Sequence, residues 1–236
     1  VHPAFAPHVA AAAVTPDRIA QAPRDEGVLV VDAASDADLD ATVGALGADL
    51  DGVLLAGSAG LTQALARKFF AGTAAERGTG KVRGTIVFAV GSRAVQSAEQ
   101  VEALAAEADT RVLRAPNGRL PAGELPAAQN LVLKATPDAA GQEGDAAQVA
   151  AAMARHAIDV ARRTRAGALV ATGGDTAIAI LAASGNPALQ VLGDLMPGIP
   201  YARIRLDGAP LWLVTKAGGF GGRETFRELA LKLREG

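Results

Sequence analysis

The chain has 236 residues, half of them hydrophobic and only 3% aromatic, with a formal net charge of −2 at pH 7 and no cysteine. That length suits one large domain or one domain plus part of another, with enough apolar residues to bury a sizeable core. The near-neutral charge, with no basic block, argues against a nucleic-acid surface, the lack of cysteine excludes disulfides and thiolate metal sites, and no apolar run reaches the ~18 residues that span a bilayer.

The chain opens Val1-His2-Pro3, with no initiator Met and no charged stretch leading into an apolar one. No signal peptide is expected, and a fragment or processed chain is. Residues 1–26 carry Pro3, Pro7, Pro16 and Pro23 and an alanine run; a loosely structured start with one helical turn after Pro16 is expected. Residues 27–32 read as a short apolar strand. Ser35 then reads as an N-cap, with Asp36, Asp38 and Asp40 in the first turns, where negative charge complements the helix dipole; this is preferred to a metal site. Residues 51–56 read as the next strand, running into Gly57-Ser-Ala-Gly-Leu61 and a helix with Leu61, Leu65 and Phe69 on one face. That glycine turn suits an anion and a close-packed corner equally.

Residues 71–83 are small, polar and glycine-punctuated, the best linker candidate, and a domain boundary falls there. Residues 84–90 read as a strand, Gly91-Ser92-Arg93 as a turn at its carboxyl end, and a helix follows with Val95, Val101 and Leu104 among its apolar positions. A brief strand at 111–114, a proline- and glycine-rich excursion at 115–129 and a strand at 130–135 come next. Asp145 caps a long helix through Arg163. His156 shares a face of it with Val149, Met153 and Val160, which favours a packed, hydrogen-bonded core histidine over a catalytic base.

The most informative stretch is 168–181. Apolar residues 168–171 lead into Thr172-Gly173-Gly174-Asp175-Thr176 and then an apolar-periodic segment: a buried strand, a glycine turn and a helix start. Bare glycines let a ligand approach the main chain, and the helix N-terminus suits a phosphate. Asp175 reads either as a helix cap or as a carboxylate orienting the water shell of a nucleotide-bound Mg²⁺. Thr176 and Ser92 offer hydroxyls to a phosphate or purine, or make turn bonds. Pro197-Gly198 signals a turn, and 201–206 and 209–215 form an antiparallel hairpin through Asp207-Gly208. Lys216 precedes Gly218, Gly219, Gly221 and Gly222 and reads either as a point charge for phosphate or as a solvated lysine. A last helix, 223–234, packs Phe226, Leu229, Leu231 and Leu233.

The expected fold class is therefore α/β: a mostly parallel sheet flanked by helices, with a late antiparallel hairpin. Glycine turns at 57–60, 91–92, 173–174 and 218–222 follow strands, where ligands of open α/β sheets bind. Neither a P-loop nor a dinucleotide fingerprint is present: Ala75 and Val82 stand where a P-loop around Gly80-Lys81 needs Gly and Ser or Thr. No spaced His, Asp and Glu set resembles a metal site, so no metal-binding residue is assigned.

Gly57-Ser-Ala-Gly-Leu61, Gly91-Ser-Arg93 with Gln96 and Gln100, Thr172-Gly-Gly-Asp-Thr176, Pro197-Gly-Ile-Pro200 and Lys216-Ala-Gly-Gly-Phe-Gly221 occur in the order found in the four-carbon acid sugar kinases. The chain resembles that family over roughly residues 27–236. These proteins were long catalogued as a domain of unknown function, some members being labelled type III effectors. The resemblance implies ATP and Mg²⁺ as cofactors and a four-carbon acid sugar, such as threonate or erythronate, as substrate of the intact protein. Residues 1–78 then form the C-terminal remnant of the substrate domain and 79–236 the nucleotide-binding domain. Ser92, Gly173, Gly174, Asp175, Thr176 and Gly219 are the implied ATP contacts, with Lys216 beside them.

The family's Asp-Asp-x-Thr-Gly segment, which carries substrate contacts and the catalytic aspartate, is not in this sequence, and Ala94, Val95 and Ala98 depart from its usual Ser, Pro and Thr. The catalytic residue is therefore unassigned, and the chain alone is expected to bind nucleotide without phosphorylating. A cytoplasmic location and a homo-oligomer are expected, with no nucleic-acid or membrane partner. The alternative is a non-catalytic nucleotide-binding or effector-like protein of the same fold.

Overall fold

A computed structural model describes residues 11–21, 28–47, 50, 53–70, 81–186 and 189–236. The loose start expected for residues 1–10, with His2 and His8, lies outside the described residues, as do Asp51, Gly52 and residues 71–80 of the expected linker. The chain divides into two compact units, Val1–Ala74 and Ala75–Gly236.

In the first unit, β1 (Ala11–Val14) pairs in parallel with β2 (Val28–Val31), and a 3-10 helix (Pro16–Gln21) lies between them in sequence. The alanine run read as loose is thus a strand, because β2 offers it a ladder. The helical turn after Pro16 is present. Next come α1 (Asp36–Ala45) and α2 (Ala59–Phe69). Ser35 caps α1 in a reciprocal capping box: its hydroxyl accepts from the Asp38 N–H and the Asp38 carboxylate accepts from the Ser35 N–H at 2.9 Å. The Ser35 hydroxyl, which donates to the same carboxylate at 2.8 Å, and after it the Ala34 and Ser35 N–H groups hold the Asp38 carboxyl below the usual carboxylate range. Asp40 pairs with Arg67 of α2 at 2.7 Å, and the Lys68 ammonium donates to the Val43, Gly44 and Gly47 carbonyls at the end of α1. The acidic cluster is helix-start and helix-pair chemistry.

The strand expected at 51–56 does not form where it is described. Residues 53–58 are irregular and Leu54 is 96% exposed. β1 and β2 pair only with each other, and an apolar run without a ladder has no reason to stay extended.

The second unit is built on β3 (Ile86–Val90), α3 (Val95–Ala105), β4 (Thr110–Pro116), β5 (Asn130–Thr136), α4 (Ala146–Thr164), β6 (Ala168–Thr172), α5 (Gly174–Ala183), β7 (Gln190–Met196), β8 (Ile199–Leu206), β9 (Ala209–Lys216) and α6 (Thr225–Glu235). The sheet order is β4-β5-β3-β6-β9-β8-β7. The first five in that order run parallel, while β8 is antiparallel to β9 and β7 to β8. Every residue of β3 and β6 is buried, as expected of central parallel strands covered on both faces. The fold class is as the sequence predicts, with one strand more: 190–196 pairs with β8 through the Pro197-Gly198 turn, its register broken by irregularities at 191–193 and 194–196.

The helices divide by face. Met153, Ala157 and Val160 of α4 and Ile180 of α5 pack with Leu169, Ala171 and Leu213. Val101 and Leu104 of α3 and Phe226, Leu229 and Leu233 of α6 pack on the other face with Phe88, Val170 and Val214. Asp145 caps α4, accepting from the Gln148 N–H at 3.0 Å. His156 is half-buried on α4 and makes no hydrogen bond to a described residue.

Two apolar positions expected to pack do not. Leu231 is 57% exposed and Val95 is 69% exposed. The helical period turns Leu231 roughly opposite Leu229 and Leu233, while Val95 is the first residue of α3 and lies two residues before its first buried position, Ser97. Leu229→Ala is therefore expected to destabilise by about 2–5 kcal/mol, and Leu231→Ala by no more than about 0.5 kcal/mol, as read from denaturant midpoints at constant m. Equal losses would contradict the assignment of the α6 face.

Candidate functional site

Parallel register sets Val90 beside Thr172 and Thr172 beside Lys216. β3, β6 and β9 therefore end level, and the loops that follow them leave from one edge of the sheet. β3 leads into α3 on one face and β6 into α5 on the other. The main chain thus departs both ways from two adjacent strands, the switch-point crevice at which open α/β sheets take ligands.

The loops approach as closely as their glycines permit. A Cβ at Gly91 would lie 2.2 Å from Thr176 Oγ1, so loop 91–94 rests against the first turn of α5 only because that position is bare. Gly173, the N-cap of α5, has φ +102°, which side-chain-bearing residues rarely adopt. Its N–H donates to the Lys216 carbonyl at 2.9 Å. A Cβ at Gly218 would lie 2.3 Å from Ser92 Oγ, so the glycine loop 217–222 lies on the loop after β3. The turns at 91, 173 and 219 form one mouth.

The glycine loop turns its carbonyls inward. Ser97 Oγ donates to the Gly218 carbonyl at 2.7 Å, and Gln100 Nε2 donates to those of Phe220, Gly221 and Gly222 at 3.0, 3.2 and 3.0 Å. Lys216 Nζ donates to the carbonyls of Ala217, Gly218 and Phe220 at 2.7, 3.0 and 2.8 Å. In a trans peptide the next N–H points away from the carbonyl. The amides of Gly218, Gly219, Gly221 and Gly222 are accordingly turned outward, and none donates to a described residue.

Lys216 is not the solvated lysine of one sequence reading. It is 2% exposed, and its ammonium is turned into the molecule, 5.6 Å from the centre of the Phe226 ring. Burial pulls its pKa down to about 8. Ser92 is half-buried, and its hydroxyl accepts from the Ala94 N–H at 3.2 Å, a turn bond. Thr176 is buried beside Gly91, and its hydroxyl makes no hydrogen bond to a described residue. Asp175 is exposed in the first turn of α5 and makes no capping bond, since Gly173 occupies the cap position. Gly174 and Gly219 are exposed at the mouth. Arg93 turns away to pair with Glu143 at 2.5 Å and the Gly144 carbonyl at 2.8 Å.

Beside the mouth, on the α5 side, lies a mainly apolar cleft of about 470 Å³ lined by Gly173, Gly174, Ile178, Leu181, Leu189 and Pro200 among others. This is within the usual range of a small-molecule site. Ile178 is 70% exposed there. The sequence reading passed over Ile178, Leu189 and Ser97, and named Gln100 only as part of the Gly91 motif, without a role. For the last two a signal existed: Ser97 and Gln100 stand at helical spacing with Val101 and Leu104, as polar residues inside a buried stripe. Among the described residues, no three His, Asp or Glu side chains cluster to hold a metal, and no helix is long and apolar enough to cross a membrane.

A mostly parallel α/β sheet with a glycine-lined mouth at its switch point is the class that the fold and site define. Residues 125–226 match the family described as nucleotide-binding C-terminal domain. A D-threonate kinase of Bordetella bronchiseptica is 32% identical over 88% of this chain and 53% of its own length, and a 3-oxo-tetronate kinase of Pseudomonas fluorescens is 34% identical over 90% and 54%. A Bordetella bronchiseptica domain of unknown function, solved as a domain-swapped dimer with bound citrate, aligns at TM-score 0.54 and 28% identity over 96% of this chain and 58% of that one. A Haemophilus influenzae protein at 18% identity shares the fold, at TM-score 0.60. The chain is thus similar over most of its length to these sugar-acid kinases, and residues 125–226 carry the nucleotide-binding C-terminal domain. It spans about half the length of the curated relatives it matches.

The packing of the mouth makes two glycines unequal. Gly91→Ala must displace Thr176 and is expected to cost about 1–3 kcal/mol. Gly174→Ala meets nothing within 4 Å and is expected to change stability by no more than about 0.5 kcal/mol. Thermal unfolding of the two variants checks the ranking.

Proposed function

We propose that residues 79–236 bind ATP as the nucleotide-binding domain of a kinase that phosphorylates a four-carbon acid sugar, threonate or erythronate in kind, and that residues 1–78 are the tail of its substrate domain. One observation supports this above the others: the glycine loop, four of whose amides donate to no described residue, lies on the loop after β3, which itself rests against the first turn of α5 at the switch point. Such a concave set of unpaired N–H groups favours phosphate oxygens.

In this arrangement the phosphates take the amides of Gly218, Gly219, Gly174 and Asp175 and the Thr176 hydroxyl. Ser92 lines the mouth, and the adenosine lies in the apolar cleft against Ile178 and Leu189. The free Asp175 carboxylate fits the water shell of Mg²⁺, which would neutralise phosphate charge. The acid-sugar hydroxyl oxygen attacks the γ-phosphorus as the bond to the β,γ-bridging oxygen breaks. ADP leaves, and the hydroxyl proton passes to a carboxylate. That carboxylate belongs to the Asp-Asp-x-Thr-Gly segment of the family, so the 236 residues here bind nucleotide without turning it over. The names of the relatives, D-threonate kinase and 3-oxo-tetronate kinase, support the substrate class. A cytoplasmic location and self-association complete the proposal.

Calorimetry on this chain tests it. ATP is expected to bind in the micromolar to millimolar range, tighter with Mg²⁺ by about tenfold, the size of a charge-assisted contact. Asp175→Asn is expected to abolish the Mg²⁺ enhancement and spare Mg²⁺-free binding. No heat with ATP, or ADP release driven by an acid sugar from this chain alone, would contradict the corresponding half of the proposal.

A further inference from the structure

We infer that Lys216 and Gln100 are positioning residues for the phosphates rather than contacts to them: held beneath the glycine loop, they draw its carbonyls inward and thereby aim its amides at the mouth. The inference rests on the nucleotide reading above.

The donor count carries it. An ammonium has three N–H donors, and those of Lys216 are matched by the carbonyls of Ala217, Gly218 and Phe220. None is left for a phosphate oxygen. The alternation along β9 places Lys216 on the same face as Trp212 and Val214, the face covered by α3 and α6. A lysine meant to neutralise phosphate would have to leave that pocket and strand three carbonyls. Gln100, fully buried, shares its two amide N–H donors among the carbonyls of Phe220, Gly221 and Gly222 from the α3 side. Together with Ser97, the two side chains account for the inward turn of five peptide carbonyls between 217 and 222. Four of those six residues are glycines, with no side chains to hold the loop by packing. Take away the inward donors, and buried carbonyls are left unpaired and the loop reorganises.

The ammonium shares the Gly218 carbonyl with Ser97 and the Phe220 carbonyl with Gln100 and lies by the Phe226 ring, and Lys216 sits on β9 beside Thr172 of β6. With no charged neighbour contributing among the described residues, burial alone lowers its pKa to about 8. Below that pH the ammonium serves all three carbonyls. Above it the amine keeps two donors and sets a lone pair against the third carbonyl.

The test is titration of ATP and of adenosine into the unmodified chain, Lys216→Met and Gln100→Met, at pH 7 and pH 9. Both variants are expected to lose at least tenfold in ATP affinity and to keep their adenosine affinity. ATP affinity of the unmodified chain is expected to fall severalfold from pH 7 to pH 9, while that of Lys216→Met stays flat. A lysine that merely held the fold together would weaken ATP and adenosine alike and give no such pH split. ATP affinities in both variants equal to the unmodified chain would overturn the inference and leave the nucleotide reading standing. An unmodified chain that binds neither compound would overturn both. Should Lys216→Met fail to fold, Gln100→Met and the pH profile of the unmodified chain decide.

Discussion

The common finish line of three strands governs this molecule. Ladder pairing of β3 with β6 and of β6 with β9 fixes Val90, Thr172 and Lys216 side by side. A slip of one residue in either pairing would exchange the side chains that the two covered faces of a central strand present and spoil the packing of both. The register is therefore held by the core, and the loops inherit their nearness from it. None of the loops needs intrinsic order to find the others.

Above that rigid edge the site is made of main chain. Its side chains act mostly from below, where the packing rules of an apolar core are relaxed. Thr172 Oγ1 and Gln100 Oε1 are buried without a hydrogen-bond partner among the described residues, a condition that costs on the order of 1–3 kcal/mol per group. A lysine sits in the same layer against a phenylalanine ring. Polar residues in a core layer are expected where function overrides local rules. Here they coincide with the loop in which five of six carbonyls face the same way.

Much of this was legible in the residues. The strand–glycine–helix grammar at 168–181 and 84–104 located both halves of the crevice, and β-alternation with an Asp-Gly turn located the hairpin of β8 and β9. Ser35 and Asp145 were legible as caps. What escaped depended on partners distant in sequence. Residues 11–14 become a strand only because β2 is there to pair, and residues 53–56 fail to become one for want of such a partner. β7 was hidden by Gly193 and Asp194, which interrupt its pattern at the bulges. The face on which Lys216 lies follows from period-two alternation, but that α3 and α6 close over this face does not. Asp175 looked like a cap because Asp so often is one; the glycine before it takes the cap position, leaving the carboxylate free.

The most direct measurement is the amide NMR spectrum of the isotope-labelled chain during addition of ATP. The account predicts that the resonances of Gly91, Ser92, Gly174, Asp175, Gly218 and Gly219 shift together with a single saturation curve. Shifts confined to another part of the carboxyl edge, such as the cleft lined by Asn117, Arg119, Leu120 and Asp138, with the three glycine loops unmoved, would contradict it.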